Sequence, residues 1–307
     1  MTIRRLTAED FEAVVGMDAT AVGHPRTFYF ERRLKTAKLR PALYVQLGAE
    51  QSGKLVGFMM ARQIQGQFGR NEPALRLEAF GVASDVRGQQ IGTELLSRLE
   101  DEARRLKIAE IRTTASWRDH AIMQFFDHAG FELGSEHVVD RQVTDQRAAA
   151  QGGNNSESLA PNKVDLSTLN PDDLYDVVRI DKGVSGQRRE AFFYELVDEA
   201  MKDSAVRVSL VARVDGIAAG FVMARTNFGD YGRSEPVAVL DTIGVDPDYS
   251  RQGIGRALLS QLFANLHGLR IERVETVVAS KDFQLLRFFY DVGFKSSQRL
   301  VFVKRVG

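Results

Sequence analysis

The chain has 307 residues, room for about two domains, and 44% of them are hydrophobic, which excludes disorder throughout. It contains no cysteine, which excludes disulfides, thiolate metal sites and cysteine nucleophiles. Lys and Arg total 41 and so do Asp and Glu, so the formal net charge is zero and the footprint of a nucleic-acid or anionic-membrane binder is missing.

In chain order the pattern predicts a short strand at 3–6, a helix opening at Ala8 and a second helix at about 27–39. Strands follow at about 42–48, 54–62 and 76–82, with Gly53 in a tight turn. A helix begins near Gly92, where Leu95, Leu96, Leu99, Ala103 and Leu106 have helical spacing. A strand at 110–115, a helix at 119–129 and a C-terminal strand or hairpin complete the unit. Trp117, just before that helix, is expected in the core. Residues 147–161 are rich in Gly, Asn and Ser and read as a flexible linker. The same order then repeats: a strand at 164–166, a helix from Pro171 with Asn170 as N-cap, a helix at 188–202, and strands at 206–213, 216–225 and 237–245. A helix from Gly255, a strand at 273–279, a helix at 282–292 and a last strand follow. The implied class is α/β: two domains, 1–146 and 162–307, each a mixed, mostly antiparallel sheet with helices on both faces. No leader or membrane-spanning stretch is legible, so a cytoplasmic protein is expected.

The repetition is literal. Gly57-Phe58-Met59-Met60-Ala61-Arg62 answers Gly220-Phe221-Val222-Met223-Ala224-Arg225, and Gly69-Arg70-Asn71-Glu72-Pro73 answers Gly232-Arg233-Ser234-Glu235-Pro236. Every such pair is offset by 163, and about half the positions between 57 and 96 are identical. The chain is a tandem duplication of a domain-sized unit.

In each copy a strand runs into a glycine-bearing turn and then a helix: Arg87-Gly88-Gln89-Gln90-Ile91-Gly92 and Ser250-Arg251-Gln252-Gly253-Ile254-Gly255. Such a turn can aim backbone N–H groups and a helix N-terminus at one anion, or it can be an ordinary turn. It is neither a Walker loop nor a dinucleotide fingerprint.

The run from Leu240 to Leu259, with Gln252-Gly253-Ile254-Gly255, resembles the acetyl-CoA-binding segment of the GNAT N-acetyltransferase superfamily, whose signature is Gln/Arg-x-x-Gly-x-Gly/Ala. Phe288-Phe289-Tyr290-Asp291-Val292-Gly293-Phe294 and Phe125-Phe126-Asp127-His128-Ala129-Gly130-Phe131 are similar to that family's later helix with its Gly-Phe ending. The resemblance implies acetyl-CoA as acyl donor and direct transfer to a primary amine of a small molecule or a protein lysine. It places the donor on Val245, Arg251, Gln252, Gly253, Ile254, Gly255 and Arg256, and in copy one on Val82, Arg87, Gly88, Gln90 and Gly92. Each copy departs from the signature once: Gln90 replaces the first glycine, where a side chain could crowd the pyrophosphate or forbid a positive φ, and Ser250 replaces Gln/Arg. Copy two, with both glycines, is therefore expected to bind the donor better.

The resemblance further implies a carboxylate base at Glu78 and Asp241, although a strand carboxylate can equally be a salt-bridge partner. The family's tyrosine acid falls on Phe126 and Phe289, which cannot donate a proton. Tyr290 is the nearest substitute, about 100° further round the helix. Arg70, Glu72, Arg233 and Glu235 could contact substrate or form internal turn salt bridges. No metal site is expected from the five scattered histidines, and no serine-hydrolase elbow is present. The alternative is a non-catalytic acyl-CoA-binding or regulatory tandem module in which the duplication supplies an interface; for either reading, paired halves forming a pseudo-dimer are plausible.

Overall fold

The computed structural model describes residues 1–64, 72–143, 164–187, 189–202, 208–227 and 237–307. The linker and most of the two loops at 69–73 and 232–236 lie outside these residues.

The first copy runs β1 (Thr2–Arg5), α1 (Phe11–Val22), α2 (Thr27–Leu39), β2 (Tyr44–Gln51), β3 (Lys54–Ile64), β4 (Ala74–Val82), α3 (Ile91–Arg105), β5 (Glu110–Ser116), α4 (His120–His128), β6 (Glu132–Leu133) and β7 (Glu136–Gln142). The second runs β8 (Val164–Thr168), α5 (Leu174–Ser185), α6 (Glu190–Lys202), β9 (Leu210–Val214), β10 (Ile217–Asn227), β11 (Val237–Val245), α7 (Ile254–Gly268), β12 (Arg273–Ala279), α8 (Phe283–Asp291), β13 (Lys295–Ser296) and β14 (Arg299–Arg305). They form two mixed seven-stranded sheets, ordered β1-β2-β3-β4-β5-β14-β6 and β13-β7-β12-β11-β10-β9-β8.

Those orders correct one expectation. The sequence predicts a final strand that completes its own copy, whereas β14 pairs with β5 from Arg299↔Ser116 to Arg305↔Glu110, and β7 pairs with β12 from Glu136↔Ala279 to Gln142↔Arg273. The two copies exchange their last strands. The crossing is symmetric: Gly134 N–H donates to Val301 O at 2.8 Å and Ser297 N–H to Val138 O at 2.9 Å. Each exchanged strand also carries a cation to the other copy. Lys304 Nζ donates to Ala129 O at the end of α4 (2.6 Å), and Arg141 donates to Val292 O at the end of α8 (2.6 Å). A cation there satisfies an orphan carbonyl and complements the helix dipole.

Each sheet has a core on both faces. In copy one, Leu75, Leu77, Ile91, Leu95 and Leu99 pack under α3 and α4, and Phe302 of the exchanged β14 joins them. On the opposite face Val14, Tyr29, Phe30 and Phe58 pack under α1 and α2. Copy two repeats both layers. At the α1–α2 connection a buried Arg26–Asp18 pair lies against Tyr29 and Phe30, and Arg189–Asp181 does the same against Phe192 and Phe193. Trp117, expected inside, is 49% exposed with Arg118 over its ring. It stands where the chain leaves β5 at the sheet's rim, and its backbone N–H donates to Gln298 O of the other copy.

Asp10, at the turn before α1, shows how local charge tunes stability. Its carboxylate accepts from Arg4 at 2.7 Å and from the Thr7 N–H, and the Arg4 hydrogen bond holds it below its ordinary value. A lowered folded value means this contribution is present above the unfolded carboxylate range near pH 4 and is lost as pH falls through the folded value. The melting-temperature gap between the wild type and Asp10→Asn should therefore be full at neutral pH and begin to narrow only as the solution is acidified below about pH 4. A gap independent of pH would refute the assignment.

Candidate active site

In both sheets a parallel strand pair opens partway along. β4 and β5 are in register only at Leu75↔Ile111 and Arg76↔Arg112, although both strands run on to Val82 and Ser116. β11 and β12 pair only from Val237↔Arg273 to Val239↔Glu275. Where the ladder stops, Thr113 Oγ1 donates to Leu77 O (3.0 Å) and Thr276 Oγ1 to Leu240 O (2.9 Å). Beyond these bridges the strands share no further ladder pairs.

Glu78 and Asp241 are each placed by a bulge just past the point where the parallel pairing stops. The β3–β4 register steps from Met60↔Ala79 to Ala61↔Leu77, leaving Glu78 as the extra residue. The β10–β11 register steps from Met223↔Thr242 to Ala224↔Leu240, leaving Asp241. A bulge re-aims one side chain at the edge of a ladder. The carboxylates sit on the α1/α2 face: Glu78 is 2% exposed and meets Arg33 of α2 at 3.4 Å. Arg62 and Arg76 both approach its Oε1, at 3.0 and 2.9 Å. Asp241, 3% exposed, is held by Arg225 at 3.0 Å.

The glycine-bearing loop lies on the other face. Gly57 and Gly220 let the helix start close to the sheet: a Cβ on either would stand 2.8 or 2.9 Å from Ile91 or Ile254. Helix α3 starts from Gln90 and α7 from Gly253, neither with a side-chain cap. The first intrahelical bonds are Glu94 N to Gln90 O and Ala257 N to Gly253 O, both 3.0 Å. The N–H groups of 91–93 and 254–256 therefore point out of the helix end without an intrahelical acceptor. That cradle fits a pyrophosphate: backbone donors, the positive end of a helix dipole and no carboxylate in the turn residues 87–92 or 250–255. By contrast, α4 and α8 are capped by Asp119 and Asp282.

The loop needs two left-handed residues, and each copy supplies one glycine. Copy one has Gly88 at φ 83° and Gln90 at φ 63°; copy two has Arg251 at φ 61° and Gly253 at φ 80°. The expectation that a side chain at 90 forbids a positive φ is therefore corrected. Gln90 adopts it, at a cost of about 1 kcal/mol that the surrounding helix and strand absorb. The backbone of the two cradles is alike, and the copies differ in what surrounds it. Arg87 Nε turns back onto Val82 O at 3.3 Å, an option closed to Ser250. In copy two, Arg179 of α5 ties Asp246, just past Val245, to Ala218 O, whereas the equivalent residues in copy one are Gly16 and Ala83. Sequence reasoning missed this brace, because no local pattern joins residues 67 apart.

The later helix contributes a wall. Phe288 packs on the first turn of α7, where a Cβ on Gly255 would be 3.2 Å from its ring and 3.7 Å from Val245. Phe125 stands in the same relation to Gly92 at 3.1 Å. Phe126 and Phe289 are fully in the cores. Tyr290 is not brought to the cradle: it lies about 200° round the helix from Phe288, 44% exposed, with its hydroxyl 3.0 Å from Ser296 Oγ. Among the described residues no cluster of His, Asp and Glu is arranged to hold a metal ion, and no helix is long and apolar enough to cross a membrane.

A sequence model described as the acetyltransferase (GNAT) family matches residues 2–131 and again 172–294. The chain belongs to the GNAT family. A tandem GNAT protein from the clavulanic acid biosynthesis pathway has a similar structure, with a TM-score of 0.68 at 16% identity, covering 100% of this chain and 98% of that one. A GCN5-related N-acetyltransferase from Sphaerobacter thermophilus gives 0.63 at 15%, covering 99% and 95%. A glucosamine N-acetyltransferase region of a fungal multi-domain protein gives 0.68 at 15%, covering 98% of this chain and 38% of that one. At these identities the likeness is one of fold. No curated protein sequence matches the chain.

Proposed function

We propose that this GNAT protein is an acetyl-CoA-dependent N-acyltransferase in which a primary amine attacks the donor directly, and that copy two carries the reaction. The observation behind this reading is the pairing of an uncapped helix N-terminus at Gly253 with a bulged, buried Asp241 across the opened strands. Acetyl-CoA, bound, supplies a thioester acyl group. The N–H groups of Ile254, Gly255 and Arg256 would hold its pyrophosphate, with Arg251 and Gln252 lining the turn. Val245 ends β11, where its N–H is the candidate oxyanion donor. Asp241 takes the ammonium proton, directly or through one water.

Copy one keeps the cradle but presents a different carboxylate. Three guanidiniums meet the Glu78 carboxylate, which holds it in its charged, hydrogen-bonded form and makes it the weaker base of the two. No side-chain acid is needed in either copy, because a thiol with a pKa near 8.5 leaves readily as thiolate. Tyr290, turned onto Ser296, is given no role.

Free-thiol release from acetyl-CoA against a panel of primary amines tests the proposal. Donor binding without release across the panel would favour the non-catalytic module. Gly253→Val addresses the cradle: a β-branched residue at φ 80° costs above about 1–2 kcal/mol and shifts the helix start. Calorimetry should show acetyl-CoA binding to copy two weakened at least about tenfold. Unchanged affinity would place the pyrophosphate elsewhere.

A further inference from the structure

Copy one holds a cavity of about 900 Å³ at the edge of its sheet, between β1, the turn that follows it, α2 and β2. Strand β3 separates it from β4, which carries Glu78, and no residue of the donor loop lines it. Its walls follow from local structure. Thr27, Glu31, Leu34, Lys35 and Lys38 are spaced so that they share one face of α2. The facing turn is pinned where Asp10 accepts from Arg4 and from the Thr7 N–H. Leu6, Phe11 and Leu34 pack on the α1/α2 core and are only half-buried, which leaves apolar surface turned to the cavity. A cavity of roughly 300–1,000 Å³ with mostly apolar walls and a few polar groups is the usual form of a small-molecule site.

Charge narrows the ligand. Arg5, Lys35 and Lys38 line this cavity, and among the described residues none of their side chains makes an ion pair or a hydrogen bond. Glu31, one turn before Lys35, offsets one of these cations, which suits a singly charged anion better than a dianion. The cations are not a requirement of the fold. At an offset of 163, copy two carries Thr168, Asp198 and Met201 in place of Arg5, Lys35 and Lys38, and Glu190 and Arg207 in place of Thr27 and Tyr44. It forms the corresponding β8, α6 and β9 all the same.

We propose that this cavity binds a small apolar carboxylic acid, with its carboxylate among Arg5, Lys35 and Lys38 and its hydrocarbon body against Leu6, Phe11 and Leu34. The site is separate from the donor loop and does not depend on the acyl-transfer reading.

The test is calorimetry on the full chain with octanoate as the probe and octylamine as the charge-reversed control. Octanoate should saturate at one equivalent with a dissociation constant below about 1 mM, and octylamine should bind at least about tenfold more weakly. Lys35→Asp combined with Lys38→Met installs the residue types of copy two and should weaken octanoate at least about tenfold without weakening octylamine. Ala37→Trp, which places a large ring at a lining position, should abolish octanoate binding. If circular dichroism shows the tryptophan variant unfolded, the lysine variant decides, because both lysines are exposed. No saturation by octanoate, equal binding of octylamine, or unchanged octanoate affinity in either folded variant would each overturn the proposal. Displacement of octanoate by acetyl-CoA would also overturn it, by placing the acid in the donor site.

Discussion

Phe302→Ala should destabilise the first copy, although the residue belongs to the second. Phe302 is 7% exposed, lies in the core cluster of Leu75, Leu95 and Phe126, and its ring centroid is 5.1 Å from that of Phe126. Truncating a buried phenylalanine typically costs about 3–5 kcal/mol. That is a large part of the usual 5–15 kcal/mol of a domain. Ending the chain after Ser296 should do more. It strips β5 of a seven-residue antiparallel partner and removes Lys304 from the end of α4. The exposed edge would then be open to other strands. Native-state hydrogen exchange should show lost protection at Ile111–Ala115 in both variants. Protection kept there, with loss confined to residues after 208, would contradict the exchange. A fragment of residues 1–146 would have β7 without β12 and β5 without β14, so the copies are better compared within the full chain.

Asp241→Asn should lower the turnover number by about 10²–10⁴-fold, the usual contribution of a positioned general base. The amide keeps an oxygen for Arg225 and nearly the same volume but cannot take a proton. The discriminating readout is the split of kinetic constants. The turnover number should fall with acetyl-CoA affinity unchanged, because the glycine-bearing loop proposed to hold the donor lies on the opposite face of the sheet. Retained turnover would show that Asp241 is only the anchor of Arg225, and the base would have to be sought elsewhere.

Much of this was legible in the chain itself. The repeat at 163, the helical spacing of Leu95, Leu96 and Leu99, and the glycine-bearing loop follow from local pattern and adjacent residues. The site was legible in part. Glu78 and Asp241 could be picked out as strand carboxylates, but a bulge depends on the register of the neighbouring strand, and three arginines on Glu78 come from α2, β3 and β4. Gln90 was misjudged because propensity counts the strain of a left-handed residue and not the helix and strand that impose it.

The sequence by itself determined that one unit is written twice and which elements each unit contains. Tertiary structure alone decided where the last strands go. Because the copies are duplicates, β7 and β14 present similar alternating patterns, and either sheet offers each of them an open edge beside β5 or β12. Strand pairing rests on backbone hydrogen bonds that any extended segment can make, so local sequence does not distinguish a strand kept from a strand exchanged. The crossing at Gly134–Ser135 and Ser297–Gln298 makes that choice, and with it binds the two copies and their glycine-bearing loops into one folded protein.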